Sequence, residues 1–290
     1  MPTVNEDRMV NALTIDVEDY FQVSAFAPYI SRASWDSCEC RVERNINKIL
    51  MLLNERKTKA TFFTLGWIAQ RYPQLINDIV NEGHELASHG YGHERASDLS
   101  PANFFIDIDS SKKILEDISG VSIQGYRAPS FSIGENNLWA FECLARAGYK
   151  YSSSIYPIKH DHYGMPGFSR YPVDVGAGLL EVPITTVQLF NKNLPSSGGG
   201  YFRLFPYFLS RWLINKINEK DKRPAIFYFH PWEIDVDQPR VAGIDKKTKF
   251  RHYVNINKME DRLGKLLADF NWGRMDDIFI NKNKIGITSV

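Results

Sequence analysis

Six short apolar runs punctuate the chain, at residues 12–15, 60–65, 84–88, 123–126, 179–187 and 225–229. Each is shorter than an ordinary helix and bounded by turn or polar residues, which reads as a buried strand. The stretches between them carry a helical period instead. Val42, Ile46, Ile49, Leu50 and Leu53 share one face of a helix that ends before Lys57, and Leu75, Ile76, Ile79 and Val80 share another before Gly83. Ser100-Pro101 supplies an N-cap with proline at the first helical position, and Gly120 closes that helix. Leu138, Phe141, Leu144 and Ala145 form a further face. Phe205, Leu209, Leu213 and Ile217 repeat every four residues and predict one helix across them. Strands alternating with helices predict βαβ units and a mainly parallel α/β sheet.

A chain of 290 residues admits two ordinary domains or a single α/β barrel of roughly 250 residues. No Gly/Ser-rich linker divides it, and Ser196-Ser197-Gly198-Gly199-Gly200 reads as a tight loop. Lys+Arg 35 against Asp+Glu 34 leaves a net charge of +1, which argues against a protein built to coat nucleic acid. Hydrophobic residues at 43% and aromatics at 13% suffice for a packed core. No apolar run approaches the ~18–20 residues of a transmembrane helix. The first residues are polar, without the apolar segment of a secretory signal, so the expected location is cytoplasmic, with the inner membrane face as a second option. Three cysteines make no disulfide framework: Cys38 and Cys40 are too close to bridge comfortably, and Cys143 stands alone.

Four chemistry-bearing motifs follow predicted strands. Thr14-Ile15-Asp16-Val17-Glu18-Asp19-Tyr20 crowds three carboxylates at one exit, where like charges repel unless a cation or proton intervenes. His89-Gly90-Tyr91-Gly92-His93 spaces two imidazoles four apart, as in two-histidine zinc motifs. Tyr126-Arg127-Ala128-Pro129-Ser130 offers an arginine able to orient a carboxylate. Phe229-His230-Pro231-Trp232-Glu233 offers a histidine as proton donor. Taken singly, each has a bland alternative: a polar strand exit, loop histidines, a surface ion pair, a core histidine. Together they place a carboxylate, two imidazoles, an arginine and a third imidazole at the C-terminal edge of one sheet, where α/β active sites assemble.

At these residues the chain resembles the polysaccharide deacetylases, the carbohydrate esterases that share the NodB homology domain. Thr14-Ile15-Asp16-Val17-Glu18 stands where that family has Thr-Phe-Asp-Asp. His89 to His93 matches its His-Ser/Thr-x-x-His/Ser with Gly90 in place of the hydroxyl residue. Arg127-Ala128-Pro129 matches its Arg-Pro motif, Tyr151-Ser152-Ser153-Ser154-Ile155-Tyr156 its Asp-Ser-Ser-like segment without the aspartate, and Tyr228-Phe229-His230 its Leu-x-His. Asp16 to Phe21, Ser197 to Tyr201, Phe229 to Glu233 and Phe250 to Tyr253 look closer to the deacetylases associated with exosortase and exopolysaccharide gene clusters.

The resemblance implies a distorted (β/α)7-type barrel over residues 10–235, with 236–280 as a C-terminal extension packed on it. It implies hydrolysis of an N-acetyl amide on a sugar, the substrate being an N-acetylated oligo- or polysaccharide such as an exopolysaccharide or its lipid-linked precursor. A divalent metal is implied, zinc first, with cobalt, manganese or nickel as alternatives. Carried over residue by residue, Asp16 is the base, His230 the acid, His89 and His93 metal ligands, and Arg127 the holder of Asp16. The family's second aspartate falls on Val17, which cannot bind metal; relatives with an Asp-x-Asp version use the later carboxylate, which implies Glu18 as the third ligand, with Asp19 the reserve. Asp174 is a partner for His230. Tyr156, Tyr201 and Trp232 are candidates for stacking on sugar rings, with Pro129 beside them, whereas Phe202 reads as core. His160-Asp161-His162 reads as a loop near the pocket. The basic stretch 246–252 reads as a loop, solvated or facing an anionic glycan or lipid diphosphate. The helix around 205–217 packs on the core or rests on a membrane, and peripheral contact with exopolysaccharide machinery is a further expectation. Two rival readings keep the same fold: a cyclic imide or ureide amidohydrolase, and a non-catalytic glycan-binding relative.

Overall fold

The computed structural model describes residues 9–160 and 163–281. Its centre is a nine-stranded sheet ordered β10-β1-β2-β3-β4-β5-β7-β6, with β11 paired to β1. The strands are β1 (Val10–Val17), β2 (Thr61–Thr64), β3 (Glu85–Ser88), β4 (Gly125–Tyr126), β5 (Tyr151–Ser152), β6 (Val173–Asp174), β7 (Leu180–Glu181), β10 (Ile226–Phe229) and β11 (Asn271–Gly273). All pair in parallel except β6 with β7. The α/β sheet curls into a half-barrel whose two ends, β10 and β6, do not pair among the described residues. A separate hairpin, β8 (Thr186–Leu189) and β9 (Lys192–Pro195), stands beside it.

Helices cover the outside: α1 (Val42–Glu55), α2 (Gly66–Arg71), α3 (Pro73–Asn81), α4 (Pro101–Ser119), α5 (Trp139–Arg146), α6 (Gly199–Leu204), α7 (Tyr207–Lys216), α8 (Lys246–Tyr253) and α9 (Met259–Asp269). The apolar face read for α1 is buried as a set, each side chain contributing about 1.5–3 kcal/mol by leaving water. Helix α4 begins with the Ser100 cap, which accepts from the Asn103 amide, and ends at Gly120 with φ of 69°, a left-handed turn that glycine takes without strain. None of the described helices is long and apolar enough to cross a membrane.

Strand periodicity decides which side chains face inward. On β1, Leu13, Ile15 and Val17 join the cluster under α1, α7 and α9, while Ala12 joins the inner cluster. On β10, Phe227 and Phe229 face out, and Ile226 and Tyr228 face in. The same parity sends Thr14 and Asp16 into the barrel. Its floor is filled by Met275, Ile278 and Phe279 from the chain after β11. Ala12 pairs with Ile226 on one edge and Gly273 on the other, so β11 extends the sheet below β2. The segment beyond residue 235 therefore shares the sheet and, through α9, the outer core.

Four local readings change. The 179–187 run is broken: β7 ends at Glu181 and β8 starts at Thr186, on either side of Pro183, which cannot donate to a ladder. Pro206 separates α6 from α7, so Phe205 is not part of the predicted helix. Gly199-Gly200 opens α6 rather than completing a loop. The basic stretch is a helix, α8, because Asp245 caps it by accepting from the Lys247 and Thr248 amides, and an anion suits a helix N-terminus.

Candidate active site

Asp16 leaves β1 pointing into the barrel, where Arg127 meets it. The Arg127 guanidinium donates to Asp16 Oδ1 at 2.6 Å and Thr14 Oγ1 at 2.8 Å, and to the carbonyl and hydroxyl of Ser153 at 3.2 Å each. Its carbon lies 4.0 Å from the centre of the Phe63 ring. Arg127 is fully buried and Asp16 nearly so, so this pair exchanges solvation for a bidentate-capable cation in fixed geometry. The free oxygen, Asp16 Oδ2, lies 3.9 Å from His230 Nε2.

The two next carboxylates diverge. Asp19 turns away, capping the following turn and accepting from the backbone amides of Tyr20, Arg41 and Val42, so both of its oxygens are engaged by backbone. Glu18 turns inward toward His89 and His93. One donor atom from each of Glu18, His89 and His93 lies within 4.8 Å of the others. His89 Nδ1 sits 2.8 Å from the Arg127 carbonyl and His93 Nδ1 3.5 Å from Ser24 Oγ. Those contacts turn both Nε2 atoms inward, the usual arrangement behind a metal-ligating histidine. Gly90 separates them because the backbone there has φ of 76° and a Cβ would approach Asp107 Oδ2 to 2.7 Å. That explains glycine where the family motif has a hydroxyl residue.

The chemistry of this donor set fits a divalent cation. Glu18 Oε2 is buried and lies 2.6 Å from His93 Nε2, a carboxylate oxygen and an imidazole nitrogen meeting where one cation could take both. Burial pushes the Glu18 carboxyl up, but His93, His230 and His89 together take it well below the carboxylate range. Burial lowers His89 to about 4, leaving it neutral with a lone pair to give. Two imidazoles and one carboxylate are the ligand set of an open catalytic zinc site.

His230 follows β10. Its burial opposes charging, but the Glu18 and Glu233 carboxylates and Asp16 outweigh that and raise it to about 9, so it carries a proton at neutral pH. Its Nδ1 faces Glu233 Oε1 at 2.8 Å. Glu233 is in turn held by Arg203 Nε at 2.7 Å, and Arg203 donates to the carbonyls of His252 at 2.7 Å, Val254 at 2.9 Å and Arg251 at 3.3 Å. Glu233 and Arg203 are both fully buried. Neither was singled out from the sequence; the pattern His230-Pro231-Trp232-Glu233, with a carboxylate three residues from a histidine, carried the signal.

A cavity of about 440 Å³ opens over these groups, within the range of small-ligand sites. Asp16, Glu18, His89, His93 and His230 line it together, with Tyr29, Phe131, Tyr163 and Tyr228 as its aromatic walls. The structure therefore brings together the expected residues of chemistry except Asp19 and Asp174, with Arg127 directly behind Asp16. Several expectations are corrected. Asp174 is exposed on β6 and accepts from Gly176; the carboxylate on His230 is Glu233. Trp232 has no free face: His230 stacks on one side at 5.2 Å, His252 on the other at 4.1 Å, and its indole N–H donates to Glu18 at 3.2 Å. It lines the cavity with both ring faces already covered by the two histidines. Tyr156 is fully buried among Phe131, Tyr163 and Tyr228, and Tyr201, against Phe205, lies outside the cavity wall. Pro129 is buried beneath Ser130 and Phe131, which reach the cavity in its place. Phe202 is core, as read. His160 stacks on Tyr163 at 4.0 Å; Asp161 and His162 lie outside the described residues. The three cysteines are free.

Two family models match the chain: polysaccharide deacetylase over residues 33–152, and a domain of unknown function, DUF3473, over 153–280. His89, His93 and Arg127 fall in the first and His230, Glu233 and Arg203 in the second, while Asp16 and Glu18 precede both. A peptidoglycan-N-acetylglucosamine deacetylase of Bacillus cereus is 35% identical over 96 residues, covering 33% of this chain and 35% of the relative. A peptidoglycan deacetylase of Helicobacter pylori is 30% identical over 115 residues, 39% of this chain and 38% of the relative. The chain thus spans little more than a third of these curated relatives. A crystal structure from Mycobacterium smegmatis, named a "putative polysaccharide deacetylase", superposes with a TM-score of 0.60 at 21% identity, covering 96% of this chain and 92% of that one. It shares the fold.

Proposed function

We propose that this chain, which carries a polysaccharide deacetylase domain over residues 33–152, is a metal-dependent hydrolase. It would remove N-acetyl groups from sugar units of an exopolysaccharide or its lipid-linked precursor. One observation carries the reading: Glu18, His89 and His93 converge in the same cavity wall as Asp16 and His230. Glu18, His89 and His93 would hold the cation, zinc most readily and cobalt, manganese or nickel with the same donors. When bound, it supplies Lewis acidity toward the amide carbonyl and water.

The chain's own residues do the rest. Arg127 engages Asp16 through Oδ1, which leaves Oδ2 to take a proton from the attacking water. Water adds to the acetyl carbon and the C–N bond breaks. His230 gives its Nε2 proton to the departing nitrogen, without which an amine is a poor leaving group, so acetate and a free amino sugar result. Glu233 at Nδ1 holds the ring for that transfer. The aromatic walls exclude water and present apolar faces to sugar rings. The accompanying domain layout is a barrel over 10–235 with an extension over 236–280, supported by α9 in the outer core and β11 in the sheet.

The test is acetate release from oligomers of N-acetylglucosamine, before and after chelation, for the chain as isolated and for Asp16→Asn. Turnover that chelation abolishes, zinc restores and Asp16→Asn lacks is the expected result. Undiminished turnover in Asp16→Asn would overturn the assignment of the base. Turnover of cyclic imides that chelation leaves unchanged would favour the amidohydrolase reading.

A further inference from the structure

The reaction uses neither the outer face of α7 nor the β8–β9 hairpin, and folding does not account for what they display. Helix α7 buries Ser210, Leu213 and Ile214. Its opposite face leaves Phe208 73% and Trp212 47% exposed, one helical turn apart, with Leu204 of α6 exposed beside them in sequence. The hairpin turns through Phe190 and Asn191, both left-handed with φ of 48° and 57°. That two-residue turn favours asparagine or glycine, and a bulky residue there is strained. Phe190 is nevertheless 97% exposed, so it returns no burial energy for the strain. Leu194 on β9 is exposed as well.

The two elements are neighbours. Leu189 of β8 and Leu209 and Tyr207 of α7 pack against the same core cluster. Arg170 bridges them, donating to the Thr186 carbonyl of β8 and to Asp221, in the turn after α7. Residues 190–223 are also rich in cations: Lys192, Lys216, Lys220, Lys222 and Arg223 are exposed or half-exposed beside Glu219, while Arg211 pairs with Asp269 and Asp221 with Arg170. The whole chain is nearly neutral, so this is a local concentration of charge. The Lys216 ammonium lies over the Trp212 ring, 5.0 Å from its centre, so the cation and the exposed indole share one patch of surface.

We infer that α7 and the β8–β9 hairpin form a docking surface for an anionic lipid bilayer. Exposed Phe, Trp and Leu between lysines and arginines is the composition of an interfacial helix, in which the rings enter the headgroup boundary and the cations meet anionic lipid. A partner needing only charge would have no use for Phe190 and Phe208; one needing only an apolar surface would have no use for the flanking lysines.

The test is co-sedimentation of the full chain with vesicles of phosphatidylcholine alone or with about a third phosphatidylglycerol. The variants are Phe190→Ser/Phe208→Ser and Lys216→Glu/Lys220→Glu, all at exposed or half-exposed positions and checked by thermal melting. Binding to anionic but not neutral vesicles is expected, falling at least about tenfold in each double variant and weakening with salt. No binding to anionic vesicles, or binding that both variants retain, would overturn the inference. So would a concentration-dependent dimer in sedimentation velocity that Phe190→Ser/Phe208→Ser dissolves, which would assign the surface to a second copy. Because the readout is partitioning, its failure would leave the deacetylase reading untouched.

Discussion

Glu233 offers the sharpest separation of stability from catalysis in this molecule. Its carboxylate is fully buried between two cations, His230 at 2.8 Å and Arg203 at 2.7 Å. Cutting it to alanine leaves the Arg203 charge buried, and removing one partner of a buried pair costs about 3–5 kcal/mol. At about 2.1 cal/mol/K per residue of unfolding entropy, a chain of 290 residues would then melt roughly 5–8 °C lower. Glu233→Gln keeps the shape and removes the charge. It should melt closer to the parent, but with the charge-assisted bond to His230 weakened by about 1.5–3 kcal/mol, kcat should fall roughly ten- to hundredfold with little change in KM. The double variant Glu233→Leu/Arg203→Met removes both charges but leaves the Arg251, His252 and Val254 carbonyls without that donor, so it should recover only part of the melting temperature and none of kcat. The assays are thermal unfolding by circular dichroism and acetate release from N-acetylglucosamine oligomers. A Glu233→Gln enzyme with unchanged kcat would refute the positioning of His230, and a Glu233→Ala protein melting like the parent would refute the buried-pair reasoning.

Other expectations follow from the same structure. Glu18→Gln should lower the zinc retained after dialysis, read by elemental analysis, while Asp19→Asn, whose side chain only caps backbone amides, should retain it; equal retention by both would contradict the ligand set. Burial beside Asp276 raises Glu85 to about 8, above its ordinary 4.5, so the folded state holds a proton that the unfolded state releases. Stability should therefore decline as pH rises from about 5 to 9, and Glu85→Gln should flatten that decline in melting curves; parallel pH profiles would count against it. Met275 is fully buried at the barrel floor with its sulfur 4.0 Å from Arg127, so Met275→Ala should cost about 2–5 kcal/mol in denaturant unfolding. A variant as stable as the parent would show that the floor does not pack as described.

The sequence was legible wherever a property is local. Strand and helix periods placed β1, β2, β3 and β10, and the faces of α1 and α3, because a period of two or 3.6 fixes which side chains share a face whatever they meet; Leu138, read into the apolar face of α5, instead caps that helix and is exposed. The Ser100-Pro101 and Gly120 boundaries of α4 were readable because caps satisfy their own backbone. Strand ends also marked Asp16, His89, Arg127 and His230, because a parallel sheet delivers every such end to one edge. Two- and three-residue strands such as β5, β6 and β11 are a different matter: they are too short to show a period, and neighbouring strands define them.

What the tertiary structure decided is which groups meet. Glu18 and Asp19 are adjacent acids with equal claims on paper, yet one faces two histidines and the other caps a helix, since the chain turns between them. Trp232 and Tyr156 looked like sugar platforms, but His252 from α8 covers one free face of the first and the barrel interior encloses the second. The carboxylate on His230 is three residues away rather than at Asp174 because β6 runs at the far end of the sheet from β10. Period and motif determine the face and the edge that a residue occupies. Its partner depends on contacts between segments as much as 200 residues apart, and no local pattern records them.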